Sequence, residues 1–289
     1  MPNEGYKVRL NVMGKKLVNM AIAYDFDGTL APGNMQEYDF IPKLRMKSKG
    51  FWDEVSSYAK EQNADQILAY MHLMLKKAES AEVQVRKSDF HKYGEQIKLF
   101  PGVIEWFQRI NEYGRSKNIR VEHYIVSSGI REMVEGTSIV KEFEAIYASG
   151  FMYDHHGIAR WPALAINYTT KTQYLFRINK GSLEVYDNSV INRYVPPEER
   201  PVPFENMIFI GDGETDIPCM RLVKEQGGHS ISVYNSHKNG AKKAAEQLLN
   251  DNRVTLIAPA DYRESKTIDH AVKAMIDKVE ARSKIFGLI

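Results

Sequence analysis

The sequence predicts an α/β fold, a doubly wound and mainly parallel Rossmann-like sheet interrupted by an inserted helical domain. Three observations predict it. Six short apolar runs, Met20–Tyr24, Val121–Val126, Ala145–Ala148, Met207–Ile210, Ser230–Val233 and Val254–Ala258, read as strands buried on both faces. Helical periodicity falls between several of them, and strands alternating with helices imply a parallel sheet. The stretch from about Ala31 to Phe100 breaks the alternation and reads as mostly helical.

Each element has its own reason. The first run ends at Tyr24, where Asp25-Phe26-Asp27-Gly28 stops the apolar pattern. In the stretch that follows, Ile67, Leu68, Met71, Met74, Leu75 and Ala78 share one helical face. Pro101-Gly102 punctuates its end. Val103, Ile104, Phe107 and Ile110 fit the next helix, ahead of the second strand. A smaller insertion runs over 150–168, where Tyr153-Asp154-His155-His156-Gly157 suggests a turn between short strands. Gln173 to Asn179 reads as a helix. The last helix carries Ile268, Ala271, Val272, Met275, Ile276 and Val279, with Asp261 and Glu264 spaced like a capping box. The organisation expected is one core from 1–30 and 101–289, with 31–100 inserted into it.

Composition narrows the classes. The 289 residues are 43% hydrophobic and 26% charged, which suits a packed globular protein. A net charge of +2 is too balanced to argue for a nucleic-acid or membrane partner. One cysteine, Cys219, allows no intramolecular disulfide and fits a reducing compartment. No apolar stretch is long enough to span a bilayer. The start, MPNEGYKVRLNVMGKK, lacks the apolar middle of a signal peptide. A soluble cytoplasmic protein is expected.

Chemistry gathers at the strand ends. An aspartate closing a buried strand must be solvated, hydrogen-bonded or bound to a cation. Side chains along a strand repeat every two residues, so Asp25 and Asp27 can face the same way. Two such carboxylates repel unless a positive group lies between them, and Mg²⁺ is the usual partner of all-oxygen ligands. The second strand leads into Ser127-Ser128-Gly129, and Met207–Ile210 leads into Gly211-Asp212-Gly213-Glu214-Thr215-Asp216. Ligands of doubly wound sheets bind beyond the carboxyl ends of strands.

This ordered set, DFDGTL at 25–30, IVSSG at 125–129, a lysine near 171 and GDGETD at 211–216, resembles the haloacid dehalogenase superfamily of phosphatases. The helical insert resembles that family's C1-type cap, and its place and size are most like the phosphoserine phosphatase-like branch. The resemblance implies a reaction on a small phosphorylated metabolite. Asp25 would attack phosphorus, since a carboxylate needs no deprotonation at neutral pH. Asp27 would protonate the leaving alkoxide and then take a proton from water. Mg²⁺ would be held by Asp25, Asp212 and the Asp27 backbone carbonyl, with Asp216 in support. Four carboxylates and a phosphate dianion against one Mg²⁺ and one lysine favour a protonated Asp27. Ser127, and backbone N–H groups of Ser128 and Gly129 opening a helix, would bind the phosphoryl oxygens. Lys171, at the start of a helix, matches the family position, with Lys180 as the alternative. Phosphoserine phosphatases place a glutamate nine residues after the nucleophile, and here that position is Asn34, with Glu37 nearby.

Simpler readings cover other residues. Asp216 can cap the helix at Ile217-Pro218. His155 and His156 read as solvated turn residues, and Cys219 as a small buried thiol. Lys43, Arg45, Lys47 and Lys49 read as a solvated face, the alternative being a steering patch for an anionic substrate. Tyr38, Phe40, Phe51 and Trp52 read as core of the insert rather than a substrate platform. Against the phosphatase stand a phosphotransferase or mutase using the same aspartyl-phosphate, and a non-catalytic binding module. The clustered carboxylates favour the phosphatase.

Overall fold

A computed structural model describes residues 17–287, so the start of the chain, including the stretch read for a signal peptide, lies outside the described residues. Seven strands, β1 (Val18–Tyr24), β2 (Ile119–Ile130), β3 (Ala145–Tyr153), β4 (Ala159–Leu164), β5 (Met207–Gly211), β6 (His229–Tyr234) and β7 (Leu256–Pro259), form one sheet in the order β4-β3-β2-β1-β5-β6-β7. All neighbours are parallel except β3 and β4, which form an antiparallel hairpin. The sheet is doubly wound as expected. β1 lies at the centre, with β2 and β5 on either side. Tyr24 stands level with Ile125 on one flank and Ile210 on the other. That register delivers Asp25, the Ser127 loop and the Asp212 loop to one edge of the sheet, at the switch point of the winding.

Period-two alternation builds two core layers. Ile22, Tyr24, Ile125, Ile208 and Ile210 face helices α5 (Val103–Ser116) and α10 (Thr267–Ile285). Ala21, Ala23, Tyr124, Val126 and Phe209 face α7 (Lys171–Lys180) and α8 (Ile217–Glu225). A buried relay pins β1 to its neighbours. Trp106 donates its indole N–H to the Tyr24 hydroxyl at 2.8 Å, and that hydroxyl lies 3.0 Å from His123 Nδ1. His123 Nε2 lies 3.0 Å from Asn111 Oδ1. Burial pushes the His123 pKa down to about 3, so the ring is neutral and the chain of bonds is complete.

Between β1 and β2 the chain forms α1 (Phe40–Lys43), α2 (Ser48–Gln62), α3 (Gln66–Ser80) and α4 (Lys87–Glu95). Asp65 caps α3, its Oδ1 accepting from Ile67 N at 2.8 Å and Leu68 N at 3.1 Å. Its Oδ2 accepts from Asn167 Nδ2 at 2.7 Å, which ties this cap to the segment after β4. Asp154 organises the β3–β4 turn by accepting from the N–H groups of His156 and Ile158.

Four sequence expectations shift. The buried face of α3 runs through Ala69, Tyr70, Met71, Leu73, Met74 and Ala78, leaving Leu68 exposed. In α5 the fully buried Trp106 replaces Ile104, which points to solvent. Asp261 and Glu264 form no capping box. Asp261 is taken by Arg263 at 2.6 Å, and Asp269 instead accepts from Ser265 N at 3.0 Å at the start of α10. β2 continues to Ile130, beyond the apolar run that marks it. Among the described residues, no helix is long and apolar enough to cross a membrane.

Candidate active site

Asp25 is the first residue past β1, and its N–H donates to Ile210 O at 2.9 Å, so the backbone of β5 fixes where its side chain starts. Lys171 opens α7 with its side chain wholly buried. Its Nζ lies 3.0 Å from Asp25 Oδ1 and 2.7 Å from Asp216 Oδ1. Burial opposes the lysine charge, but Asp216 and then Asp25 outweigh it and raise its pKa, so it stays protonated. Lys180 is elsewhere, its Nζ bound to the carbonyls of Ile191 and Arg193 at 2.6 and 2.8 Å. Lys171 is therefore the lysine of this site.

Asp216 occupies the residue before α8 but does not cap that helix with its side chain. Its Oδ2 reaches back to accept from Asp212 N at 3.1 Å and Gly213 N at 3.4 Å, so the carboxylate shapes the loop that presents Asp212. Burial and then the Asp25 charge push its pKa up to about 6, against the pull of Lys171. The Asp212 carboxylate packs on Gly28. A Cβ at Gly28 would lie 2.1 Å from Asp212 Oδ2, and Gly28 has φ +74°, so both space and backbone require glycine there.

Asp27 is set apart. Its Oδ1 accepts from Met35 N at 2.9 Å, and a Cβ on Gly129 would stand 3.1 Å from its Oδ2. Burial raises its pKa well above the carboxylate range, and the Asp25 charge adds to that. Burial therefore favours its protonated form. Ser127 is fully buried, and its Oγ accepts from Gly129 N at 3.2 Å. Ser128 Oγ is buried without a partner, while Ser128 O accepts from Tyr70 OH at 2.6 Å. Ser128 and Gly129 do not open a helix. They continue β2 through an irregularity in its pairing with β3, which resumes at Ile130, and α6 (Arg131–Glu135) begins only two residues later.

Asp25, Asp27, Ser127, Ser128, Gly129 and Asp212 line one cavity of about 1230 Å³, while Lys171 and Asp216 lie buried beneath it. Its floor is Asp25, Asp27, Ser127 and Asp212, and one wall comes from the helical insert through Glu37, Trp52 and Tyr70. Phe40 and Phe51 are buried as expected, but Trp52 faces the cavity and donates its indole N–H to Glu37 Oε1 at 2.7 Å. Gln36 and Tyr70 also line the cavity, and neither stands out in the sequence. The basic run does not reach the cavity. Lys43 pairs with Asp39 and Lys49 with Asp53, both at 2.6 Å on the surface.

The donor set fits a hard divalent cation. Asp25, Asp212 and Asp216 each place a carboxylate oxygen within 4.8 Å of the others, with one lysine to balance them. Burial, then Asp216 and Asp25, raise the Asp212 pKa to about 8, the mark of a carboxylate short of positive charge. The Asp27 side chain stands outside this group, so any metal contact it makes is through its backbone.

Residues 22–221 match the haloacid dehalogenase-like hydrolase family, and the chain belongs to that family. An uncharacterized protein of Borreliella burgdorferi is 29% identical over 270 residues, covering 84% of this chain and 91% of that one. Among solved structures, a phosphoserine phosphatase in apo form aligns with a TM-score of 0.54 at 15% identity, over 85% of this chain and 96% of the other. A probable phosphoserine phosphatase from Vibrio cholerae aligns with a TM-score of 0.55 at 12% identity, over 93% of this chain and 69% of the other. At these identities the likeness is one of fold.

Proposed function

We propose that the chain is a Mg²⁺-dependent phosphomonoesterase that acts on a small phosphorylated metabolite through an aspartyl-phosphate on Asp25. One observation carries this reading: a single buried ammonium, Lys171, lies between Asp25 and Asp216, beside a cavity where burial favours the protonated form of Asp27. A nucleophile that is ionised and an acid that is protonated, two residues apart, are the pair that phosphate-ester cleavage needs.

The Lys171 ammonium lies 3.0 Å from Asp25 Oδ1, and the Asp25 carboxylate attacks phosphorus in line with the ester oxygen. As the Asp25–phosphorus bond forms, the phosphorus–ester oxygen bond breaks, and Asp27 gives its proton to the leaving alkoxide. Asp27, now ionised, takes a proton from water. That water adds to phosphorus, the bond to Asp25 breaks, and inorganic phosphate and free Asp25 result. Ser127 and the unpartnered Ser128 Oγ supply donors to the phosphoryl oxygens. Bound by Asp25 and Asp212 with Asp216 in support, Mg²⁺ would neutralise phosphoryl charge and align the displacement.

The test is phosphate release from a panel of phosphomonoesters with Mg²⁺, wild type beside Asp25→Asn. The panel holds p-nitrophenyl phosphate, phosphoserine, sugar phosphates, nucleotides and phosphocholine. Turnover in the wild type and none in the variant is expected. Equal turnover in both would remove Asp25 as nucleophile.

A further inference from the structure

The proposed reaction relies on the Ser127 hydroxyl, yet the sheet alone does not hold the segment that carries it. Pairing of β2 with β1 ends at Ile125, and pairing with β3 is irregular between Val126 and Ile130. The helical insert supplies contacts to three consecutive residues there. Tyr70 of α3 donates its hydroxyl to Ser128 O at 2.6 Å. The Met35 methyl carbon occupies the space beside Gly129, and the Met35 sulfur accepts from Ile130 N at 3.1 Å. Tyr70 is itself held in place. Its ring is buried, with Trp52 edge-on at 5.8 Å between centroids. The helix that carries it is seated on the core, because its cap, Asp65, accepts from Asn167 Nδ2 at 2.7 Å.

These bonds form a relay. The Tyr70 hydroxyl donates to the Ser128 carbonyl, and the same peptide unit carries the Gly129 N–H, which donates to Ser127 Oγ at 3.2 Å. A peptide that accepts at one end donates more strongly at the other. A serine hydroxyl has one proton to give and two acceptor sites. With the Gly129 N–H on one acceptor site, the Ser127 proton is directed elsewhere, and Ser127 lines the cavity beside Asp25 and Asp27. We infer that Tyr70 is a positioning residue: its hydroxyl, delivered by the insert, fixes the Ser128–Gly129 peptide so that the Ser127 hydroxyl is presented as a donor to the phosphoryl oxygens. Without that hydroxyl, Ser128 O loses its donor, and the peptide is free to turn its N–H away from Ser127. The inference rests on the phosphatase reading, and it gives the insert a task on the phosphoryl group itself.

The experiment is a double-mutant cycle on wild type, Tyr70→Phe, Ser127→Ala and the double variant, with p-nitrophenyl phosphate, Mg²⁺ and vanadate as a competing mimic of the phosphoryl group in transfer. Tyr70→Phe keeps the ring and removes only the bond. It should lower kcat/KM roughly 5- to 50-fold and weaken vanadate inhibition by a similar factor. In the Ser127→Ala background the same change should cost no more than about twofold, since its route to the phosphoryl group is already gone. Tyr93→Phe removes another hydroxyl–carbonyl bond, from Tyr93 to Gln84 O at 3.1 Å within the insert, and should leave the rate unchanged. Amide hydrogen exchange reads the relay without turnover: Gly129 N–H should exchange faster in Tyr70→Phe and not in Tyr93→Phe. An unchanged rate in Tyr70→Phe, losses that simply multiply in the double variant, or an equal loss in Tyr93→Phe would overturn the inference. Absence of turnover in the wild type would instead count against the phosphatase reading, and unaltered Gly129 exchange in Tyr70→Phe would then overturn the relay on its own.

Discussion

Removing the charge of Lys171 is the sharpest perturbation of this site. In Lys171→Met the side chain keeps its bulk and loses the ammonium that lies 2.7 Å from Asp216 and 3.0 Å from Asp25. At an effective dielectric of about 20, each contact is worth roughly 6 kcal/mol before the cost of desolvating three charged groups is subtracted. Breaking a buried pair by deleting one partner costs about 3–5 kcal/mol net. For a chain of this size that is a fall in Tm of roughly 6–20 °C. The sign of the pH dependence follows from the carboxylates. The folded-state pKa of Lys171 is raised, so its contribution is fully present below the unfolded lysine value and is not lost between pH 5 and 9. Asp216 sits at about 6 with the lysine present, and without it moves higher. Protonating Asp216 in the variant relieves the unpaired charge, so the deficit is full at pH 8 and shrinks as pH falls toward 5. Urea unfolding of both proteins in EDTA at the two pH values measures this. A variant as stable as wild type at pH 8, or a deficit of equal size at both pH values, would refute the account.

Four further outcomes are expected. Asp27→Asn should lower kcat by roughly 10²- to 10⁴-fold, the usual worth of a general acid and base, and should accumulate phosphoenzyme detectable by mass spectrometry; an unchanged rate would mean that another group carries the proton. Ligands must lose their protons to bind metal, and Asp212 sits near 8 without it, so apparent Mg²⁺ affinity should weaken as pH falls below about 8, with proton release visible as buffer-dependent calorimetric heats. By linkage, the raised Asp212 pKa makes the metal-free protein lose stability as pH rises from about 4 through 8, and Mg²⁺ should abolish that slope. Gly28→Ala forces a Cβ into the Asp212 carboxylate at positive φ, so it should cost at least about 1 kcal/mol and weaken Mg²⁺ binding as well, whereas stability loss with intact metal affinity would separate the two effects.

The sheet and the acidic site were legible because both rest on short-range rules. Apolar runs of strand length marked six of the seven strands, and the polar clusters after them fell where parallel sheets expose their loops. β4 is an edge strand in an antiparallel hairpin, and Arg160, Trp161 and Pro162 give it no apolar run, so only the turn at 153–157 marks it in the sequence. A place at a helix start favours Lys171 over Lys180, but only packing shows why. One ammonium is buried between carboxylates and the other is spent on loop carbonyls. The insert's wall was not legible. Nothing in the spacing of Asn34, Glu37 and Trp52 reveals that a residue in α2 turns inward to bond a carboxylate 15 positions earlier. Side-chain direction on a short irregular turn is decided by tertiary contact rather than by periodicity.

Met35 sits in the first turn of the insert, yet its N–H holds Asp27, its sulfur accepts from Ile130 N at 3.1 Å, and its methyl carbon occupies the space beside Gly129. The boundary between core and insert is therefore not where the chain leaves the sheet. A chimera spliced at Ala31 would import a foreign residue into the setting of Asp27 and the serine loop at once. One spliced after Tyr38, whose hydroxyl donates to Pro32 O, would carry the native turn intact. Exchanging inserts in the laboratory should therefore use that later seam, so that the residues from Pro32 to Tyr38 stay with the aspartates they hold.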